Sequence, residues 1–150
     1  MILRYLSKKE VEAEPYCVWN AFVNLLAMES YEVLSPQQRP AHLVFWYESE
    51  VQNGGHLQYF ENCSTEHLAE TIEALGFLGA SGQQEVLREA GDQWQSIKRQ
   101  PIQTVAEYCG TAIEGEFEPF DLRFHACSPT IQQILETHLD RHQPAFVTIS

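Results

Sequence analysis

The first candidate for chemistry is a histidine that lies among carboxylates in the stretch ESEVQNGGHLQYFEN, residues 48–62. This histidine, His56, has three glutamates near it in the sequence: Glu48, Glu50 and Glu61. A histidine near carboxylates can serve as a general base at neutral pH. No GxSxG motif accompanies it, and Cys63 lacks the setting of a cysteine protease. Two interpretations follow: an enzyme or small-ligand site at Asn53-Gly54-Gly55-His56, or a histidine hydrogen-bonded at a helix start.

The glycine pair in the same stretch invites comparison with a phosphate-binding loop. Such a loop needs a preceding strand, further glycines, and a lysine or helix N-terminus directed at the anion. Here the preceding segment has a helical pattern, and acidic residues lie on both sides. Gly54 and Gly55 therefore predict a tight joint between two helices, with Asn53 capping the first of them.

A row of carboxylates is the other candidate. Between Arg39 and Arg88 the sequence has no lysine or arginine. Glu66, Glu70 and Glu73 lie in this interval at i, i+4 and i+7, so on a helix they share one face. Their spacing of about 5–6 Å along the axis resembles that of phosphates along one DNA strand. Like-charge pairs weaken an isolated helix by about 0.2–0.5 kcal/mol each, although an ordinary solvated surface remains the alternative.

Other carboxylates extend the candidate partner-binding set. A second cluster, with Asp121, has no cation before Arg123. Together with two residues of the opening stretch, the weaker candidates are Glu48, Glu50, Glu114, Glu116 and Glu118.

The overall charge limits the classes of partner. Nine Lys and Arg against 21 Asp and Glu leave a net charge of −12. This charge argues against direct nucleic-acid binding and anionic membranes, and it favours a basic protein partner. No apolar run approaches the roughly 20 residues of a membrane span, and the start lacks a signal peptide. Four scattered cysteines without a CxxC motif predict reduced thiols in a cytoplasmic protein, whose oligomeric state is left open.

Histidines near the C-terminus raise the question of a metal. His138 and His142 lie four residues apart, with His125 and Cys127 upstream. Zinc requires three or four converging ligands, and the sequence has no HExxH motif or paired CxxC motifs to organise them. We expect neither a metal nor a cofactor.

Helical periodicity predicts the elements that position these residues. We expect a buried helix from Tyr16 to about Leu34, and a second that opens at Pro40 and stops at Asn53-Gly54-Gly55. A third helix should begin with Ser64 or Thr65 as its N-cap and end at the GASG segment.

Further helices are expected over about residues 83–99, near Val105 to Cys109, and from Ser128 as N-cap with Pro129 in the first position. The segment GTAIEGEFEPFD reads as loop or as a brief extended segment, and the tail AFVTIS has no obvious strand partner. The sequence thus predicts an all-α fold, a single compact domain over residues 1–150 with about six or seven helices.

The segments WYESEVQNGGHLQYFEN, EALGFLGA and QEVLREA resemble a bacterial domain family of unknown function whose named member is a DNA-mimic protein. The family signature is an Asn-Gly-Gly turn, an aromatic pair and an asparagine. It is matched by Asn53, Gly54, Gly55, Tyr59, Phe60 and Asn62. The resemblance covers about Val44 to Ala90 and implies a helical fold.

It also implies a non-enzymatic acidic decoy that occupies the DNA-binding face of a helix-turn-helix transcription factor. The leading hypothesis is therefore an acidic protein that binds a basic DNA-binding partner, chiefly through Glu66, Glu70 and Glu73. An enzyme or ligand-binding site at His56 is the alternative from another class. An acidic scaffold without a DNA-related partner is a third.

Overall fold

Residues 1–96 and 115–150 are described by a computed structural model, in which helices predominate and the only sheet has two short strands. The all-α prediction is confirmed, with seven α-helices among the described residues. In chain order the elements are β1 (Arg4–Leu6), α1 (Lys8–Ala13), α2 (Cys17–Met28), α3 (Arg39–Cys63), α4 (Leu68–Leu78), α5 (Ser81–Ser96), α6 (Glu118–Ala126), α7 (Ile131–His142) and β2 (Val147–Ile149). Single 3-10 turns occupy Tyr31–Val33 and Gln143–Ala145.

The two strands join the ends of the chain. β1 and β2 pair in parallel, with Arg4 opposite Val147 and Leu6 opposite Ile149. The expectation that the AFVTIS tail has no strand partner was therefore wrong. The side chain of Gln38, which is fully buried, donates to the Ile2 carbonyl at 2.6 Å and to the Ala145 carbonyl at 2.9 Å. The start of α3 thus holds both chain ends through hydrogen bonds.

Helix α3 is the central element, since it contacts α2, α4, α6 and α7. Its N-terminus follows the expected proline signal, with Pro40 in the first turn. The largest side chains that are fully buried in the core come from several elements and include Phe22, Leu25, Leu26, Tyr47, Phe60, Leu75, Leu87, Ile131, Leu135 and Phe146. Burial of these apolar surfaces is the main force that packs the helices around α3.

Several helix boundaries differ from the sequence-based expectation. Helix α2 ends at Met28 instead of Leu34, and the chain then makes a 3-10 turn. Helix α4 begins at Leu68, and neither Ser64 nor Thr65 caps it. The N-cap of α7 is Thr130, whose hydroxyl accepts from the Gln133 backbone in a capping box, so the expected Ser128 cap was wrong.

One helix was missed. The segment read as loop contains the start of α6, which packs against α3 and α5. The expected helix near Val105 to Cys109, the end of the helix expected to reach residue 99, and Glu114 all lie outside the described residues. None of the helices in the described ranges has the length and hydropathy needed to cross a membrane.

Candidate partner-binding surface and the kink beside it

The Asn-Gly-Gly segment is a kink inside α3, as the sequence predicts. Gly54 and Gly55 have non-helical backbone angles, and helix resumes from His56 to Cys63. Gly55 has φ 73° and ψ −173°, a conformation that is open essentially only to glycine. A Cβ atom at this position would also lie 2.5 Å from Oδ2 of Asp121. Glycine is therefore required at position 55 for its backbone angles and for the close approach of a carboxylate.

That carboxylate holds His56 in place. Oδ1 of Asp121 accepts a hydrogen bond from the His56 backbone N–H at 2.9 Å, and it lies 2.7 Å from Nδ1 of the imidazole. Nε2 of the same ring lies 2.7 Å from the Tyr47 hydroxyl. Burial raises the pKa of Tyr47 well above its usual value, so the hydroxyl keeps its proton. One neutral tautomer satisfies every group: Nδ1–H donates to Asp121, and the Tyr47 hydroxyl donates to Nε2.

His56 is therefore a buried structural residue in this arrangement. The residue is 0% exposed, and Phe60, Phe120 and Phe124 surround its ring. The carboxylate within hydrogen-bonding reach comes from α6, not from the glutamates near it in the sequence. A depression of about 170 Å³ lies beside the kink, but its lining includes Asp121 and not His56. Both ring nitrogens are occupied, and the imidazole has no access to a substrate from solvent.

The other signature residues also build the kink and the core. Across the kink, Gln58 and Asn62 each donate to Oε2 of Glu50 at 2.8 Å, and Asn53 donates to Gln58 at 3.1 Å. Tyr59 and Phe60 are buried. Burial raises the pKa of Tyr59 to about 12.

The three leading glutamates do not all lie on one helix. Glu66 lies in the turn before α4, so the expected i, i+4, i+7 helical spacing holds only for Glu70 and Glu73. The Glu66 side chain is 77% exposed, and its Oε1 lies 3.9 Å from Nε2 of the His67 imidazole. Glu70 and Glu73 are exposed on α4, and neither forms an ion pair with a lysine or arginine of the described residues.

Of the described glutamates that are weaker candidates for partner binding, Glu50 lies near Glu66 and the others lie apart from it. Glu50 is half-buried and borders Cys63, whose thiol pKa is raised to about 11 by burial and by the charge of Glu50. Cys63, Asn62 and Glu66 line the same depression of about 200 Å³. Since Asn62 also binds Glu50, the structure brings Glu50 close to the depression that Glu66 lines. We call Glu50, Glu66, Glu70 and Glu73 the acidic strip.

The remaining glutamates lie apart from the acidic strip. Glu116 and Glu118 line the small depression beside the kink, with Gly54 and Asp121. Glu48 is half-buried, and burial raises its pKa.

The acidic strip borders a groove between two helices. This groove, of about 620 Å³, lies between α4 and α7 and is lined on the α4 side by Glu70, Glu73, Ala74 and Phe77. Leu43 lines both this groove and the depression that holds Glu66, so the two are adjacent. Phe77 is 71% exposed, which is unusual for a phenylalanine in a folded protein.

A family model for the DMP19-like protein matches residues 32–142, which cover most of the chain. This chain belongs to the DMP19-like family. The family takes its name from a DNA mimic protein. No curated protein and no solved structure matches the chain. The matched region of this DMP19-like protein contains the kink, the acidic strip and both helices that form the groove.

The histidines considered as metal ligands line the groove of this DMP19-like protein. His138 and His142 lie on one face of α7, with ring centroids 4.7 Å apart. Burial, and to a smaller extent His142, lowers the pKa of His138 to about 4, so its imidazole is neutral at physiological pH. Within residues 1–96 and 115–150, no three His, Cys, Asp or Glu side chains converge as metal ligands.

Sequence reasoning missed the groove, and it named Asp121 only as a member of the second acidic cluster without its role beside His56. The exposed Phe77 lies one turn beyond Glu73, and that spacing was the only available signal for the groove. Asp121 was placed in a loop, so nothing in the sequence linked it to His56.

Proposed function

We propose that this protein is a non-enzymatic DNA mimic that binds a basic DNA-binding protein through the acidic strip. The observation that carries the proposal is the exposure of Glu70 and Glu73 on α4 without a basic partner among the described residues. Unpaired like charges repel one another, so a surface that served only for solubility would more comfortably mix basic and acidic side chains. Here the stretch between Arg39 and Arg88 contains none. The family name supports the same conclusion.

The mechanism is competition. Arginine and lysine side chains that hold DNA phosphates bind carboxylates by the same charge-assisted hydrogen bonds. Glu50 is the best supported of the weaker contact residues, because Gln58 and Asn62 hold its carboxylate in one position. A helix-turn-helix transcription factor, as the family resemblance implies, is the expected partner class. Glu48, Glu114, Glu116 and Glu118 are proposed as peripheral contacts.

Salt and charge reversal test the proposal. The protein is immobilised and exposed to lysate of its source organism at low salt, and the retained proteins are identified by mass spectrometry. We expect the retained set to be dominated by DNA-binding proteins that are released by duplex DNA or by about 1 M salt, at which the Debye length falls to about 3 Å. The triple variant Glu66→Lys, Glu70→Lys, Glu73→Lys should retain none of them.

A matched control makes the same change in net charge at glutamates outside the acidic strip. The triple variant Glu12→Lys, Glu14→Lys, Glu136→Lys alters exposed residues on α1, at its end and on α7. It should bind like the unmodified protein. Retention only of proteins unrelated to DNA would overturn the DNA-mimic assignment. Equal loss of binding in both triple variants would rule out a specific role for the acidic strip.

A further inference from the structure

The acidic strip continues into an exposed aromatic residue. Glu70, Glu73 and Phe77 lie at i, i+3 and i+7 on α4, so they share one helical face. Both carboxylates and Phe77 line the groove of about 620 Å³ between α4 and α7. A surface that served only to imitate phosphates would have no need of an exposed phenylalanine in line with its carboxylates.

The groove extends past Phe77. A second depression of about 520 Å³ shares Phe77, His138 and His142 with the first, so the two form one groove along α4 and α7. Its further lining includes Leu78, Pro129 and Ile134. Helix α4 has 11 residues, which at about 1.5 Å each gives a groove wall of about 16 Å. Apolar grooves of this kind between helices bind amphipathic helices of partner proteins.

The charges in the groove define the occupant further. Glu70 and Glu73 provide negative charge at the end nearer α3, and His138 is neutral. Arg141 lines the depression beyond Phe77, so the negative charge is confined to the end that Glu70 and Glu73 line. Arg39 also lines that end, but its guanidinium donates to the carbonyls of Tyr31 and Glu32 and lies 4.5 Å from the Tyr31 ring centroid. Arg39 therefore leaves both carboxylates available to a cation from outside.

We propose that the groove between α4 and α7 binds a basic amphipathic helix of the partner protein. Lysine or arginine side chains of that helix pair with Glu70 and Glu73, and an apolar side chain about two turns from the first of these cations packs on Phe77. The inference takes the basic character of the partner from the proposed function. It adds that recognition includes apolar contact and is not purely electrostatic.

Synthetic peptides test this inference directly. The probe is a fluorescein-labelled helical peptide with lysines at i and i+3 and a leucine at i+7 on an alanine and glutamine background. The matched peptide has the same composition, with the leucine moved to the opposite face. Binding is measured by fluorescence anisotropy at about 0.1 M and about 1 M salt, between which the Debye length falls from about 10 to about 3 Å. We expect the first peptide to bind at least about tenfold more tightly than the second at the lower salt concentration.

Substitutions distinguish the apolar contribution of Phe77 to peptide binding from the electrostatic contribution of Glu70 and Glu73. Phe77→Ala should weaken binding of the first peptide about tenfold at both salt concentrations, because apolar contact is not screened. Glu70→Gln with Glu73→Gln should weaken binding at low salt and have little effect at high salt. Leu122→Ala, which truncates a residue that is 63% exposed on α6, is the control and should leave binding unchanged. Because these side chains are exposed, we expect each variant to fold like the unmodified protein. Urea unfolding curves check this.

The outcomes distinguish this inference from the proposed function. Two results would overturn the proposal that the groove binds a helix: equal binding of the two peptides, or an effect of the glutamate substitutions without an effect of Phe77→Ala. Either result would leave the proposal of an electrostatic DNA mimic standing. Peptide binding as expected, with no DNA-binding protein retained from lysate, would uphold the groove and overturn the DNA-mimic assignment. If Phe77→Ala instead converts a dimer into a monomer in sedimentation, the occupant is a second copy of this chain and the assignment to a partner helix is wrong.

Discussion

Asp121 and His56 are joined by two hydrogen bonds to one oxygen atom, although 65 residues separate them in the chain. Oδ1 of Asp121 accepts from the backbone N–H and faces the ring Nδ1 of the same residue. The pair connects α6 to the second half of α3 directly at the kink. The packing of α6 against the central helix is thus coupled to the conformation of the glycine pair.

Removal of the Asp121 carboxylate should destabilise the fold. In Asp121→Ala, the buried imidazole and the His56 N–H both lose their acceptor, which we expect to cost about 1–3 kcal/mol in the free energy of unfolding. Urea denaturation followed by circular dichroism measures this cost. Asp140→Ala, which removes an exposed carboxylate of α7, is the control and should change stability by less than about 0.5 kcal/mol. Equal stability of the two variants would mean that the Asp121 bonds contribute nothing.

The kink glycine should tolerate a side chain less well than another glycine with positive φ. Gly55→Ala strains the backbone and places a Cβ against the Asp121 carboxylate, whereas Gly79→Ala, at φ 93°, has nothing within 4 Å of its Cβ. At Gly79 an alanine adopts a left-handed conformation, which costs about 1–2 kcal/mol. At Gly55 the conformation is open essentially only to glycine and costs about 1–3 kcal/mol, to which overpacking adds about 1–3 kcal/mol. We therefore expect Gly55→Ala to be the more destabilising in thermal and urea unfolding. If the two glycine variants lose the same stability, the contact with Asp121 is readily relieved.

His138 should make stability depend on pH. Burial lowers its pKa from the usual 6.5 to about 4 in the folded protein, so between these values the unfolded chain binds more protons. This histidine therefore lowers the free energy of unfolding as the pH falls from about 6.5 to about 4. In His138→Gln the decline across that window should be smaller, as measured by urea unfolding at a series of pH values. His125→Gln, at an exposed position, should follow the unmodified protein. Parallel curves for both variants would contradict a lowered pKa at His138.

Helices with a clear apolar period were predictable, because that period is a local property of the sequence. α2, α5 and α7 have buried residues at helical spacing and were placed correctly apart from their ends. α6 was missed because its apolar residues do not keep to one face. Phe124 is buried, whereas Leu122 is 63% exposed. The strands escaped notice because each has three residues and pairs only with the opposite end of the chain.

Some residues of the candidate site were likewise predictable from the sequence, and others were not. Sequence reasoning identified Glu66, Glu70 and Glu73 from charge and spacing, but it placed Glu66 on the helix because it took Ser64 or Thr65 as the N-cap. Glutamates near His56 in the sequence were considered as its partners, yet the actual partner is Asp121. Contacts of this kind depend on which elements pack together, and spacing along the chain does not report that.

By itself, the sequence determined the net charge of −12, the absence of lysine and arginine between Arg39 and Arg88, the helical fold class and the joint at Gly54 and Gly55. These follow from composition and from periods of a few residues. Only the tertiary structure decided that Asp121 holds His56, that Asn62 links Glu50 to the depression lined by Glu66, and that Glu70, Glu73 and Phe77 face α7 across a groove. Each of these relationships joins elements that are distant in the chain, and burial of the shared apolar core is what brings them together.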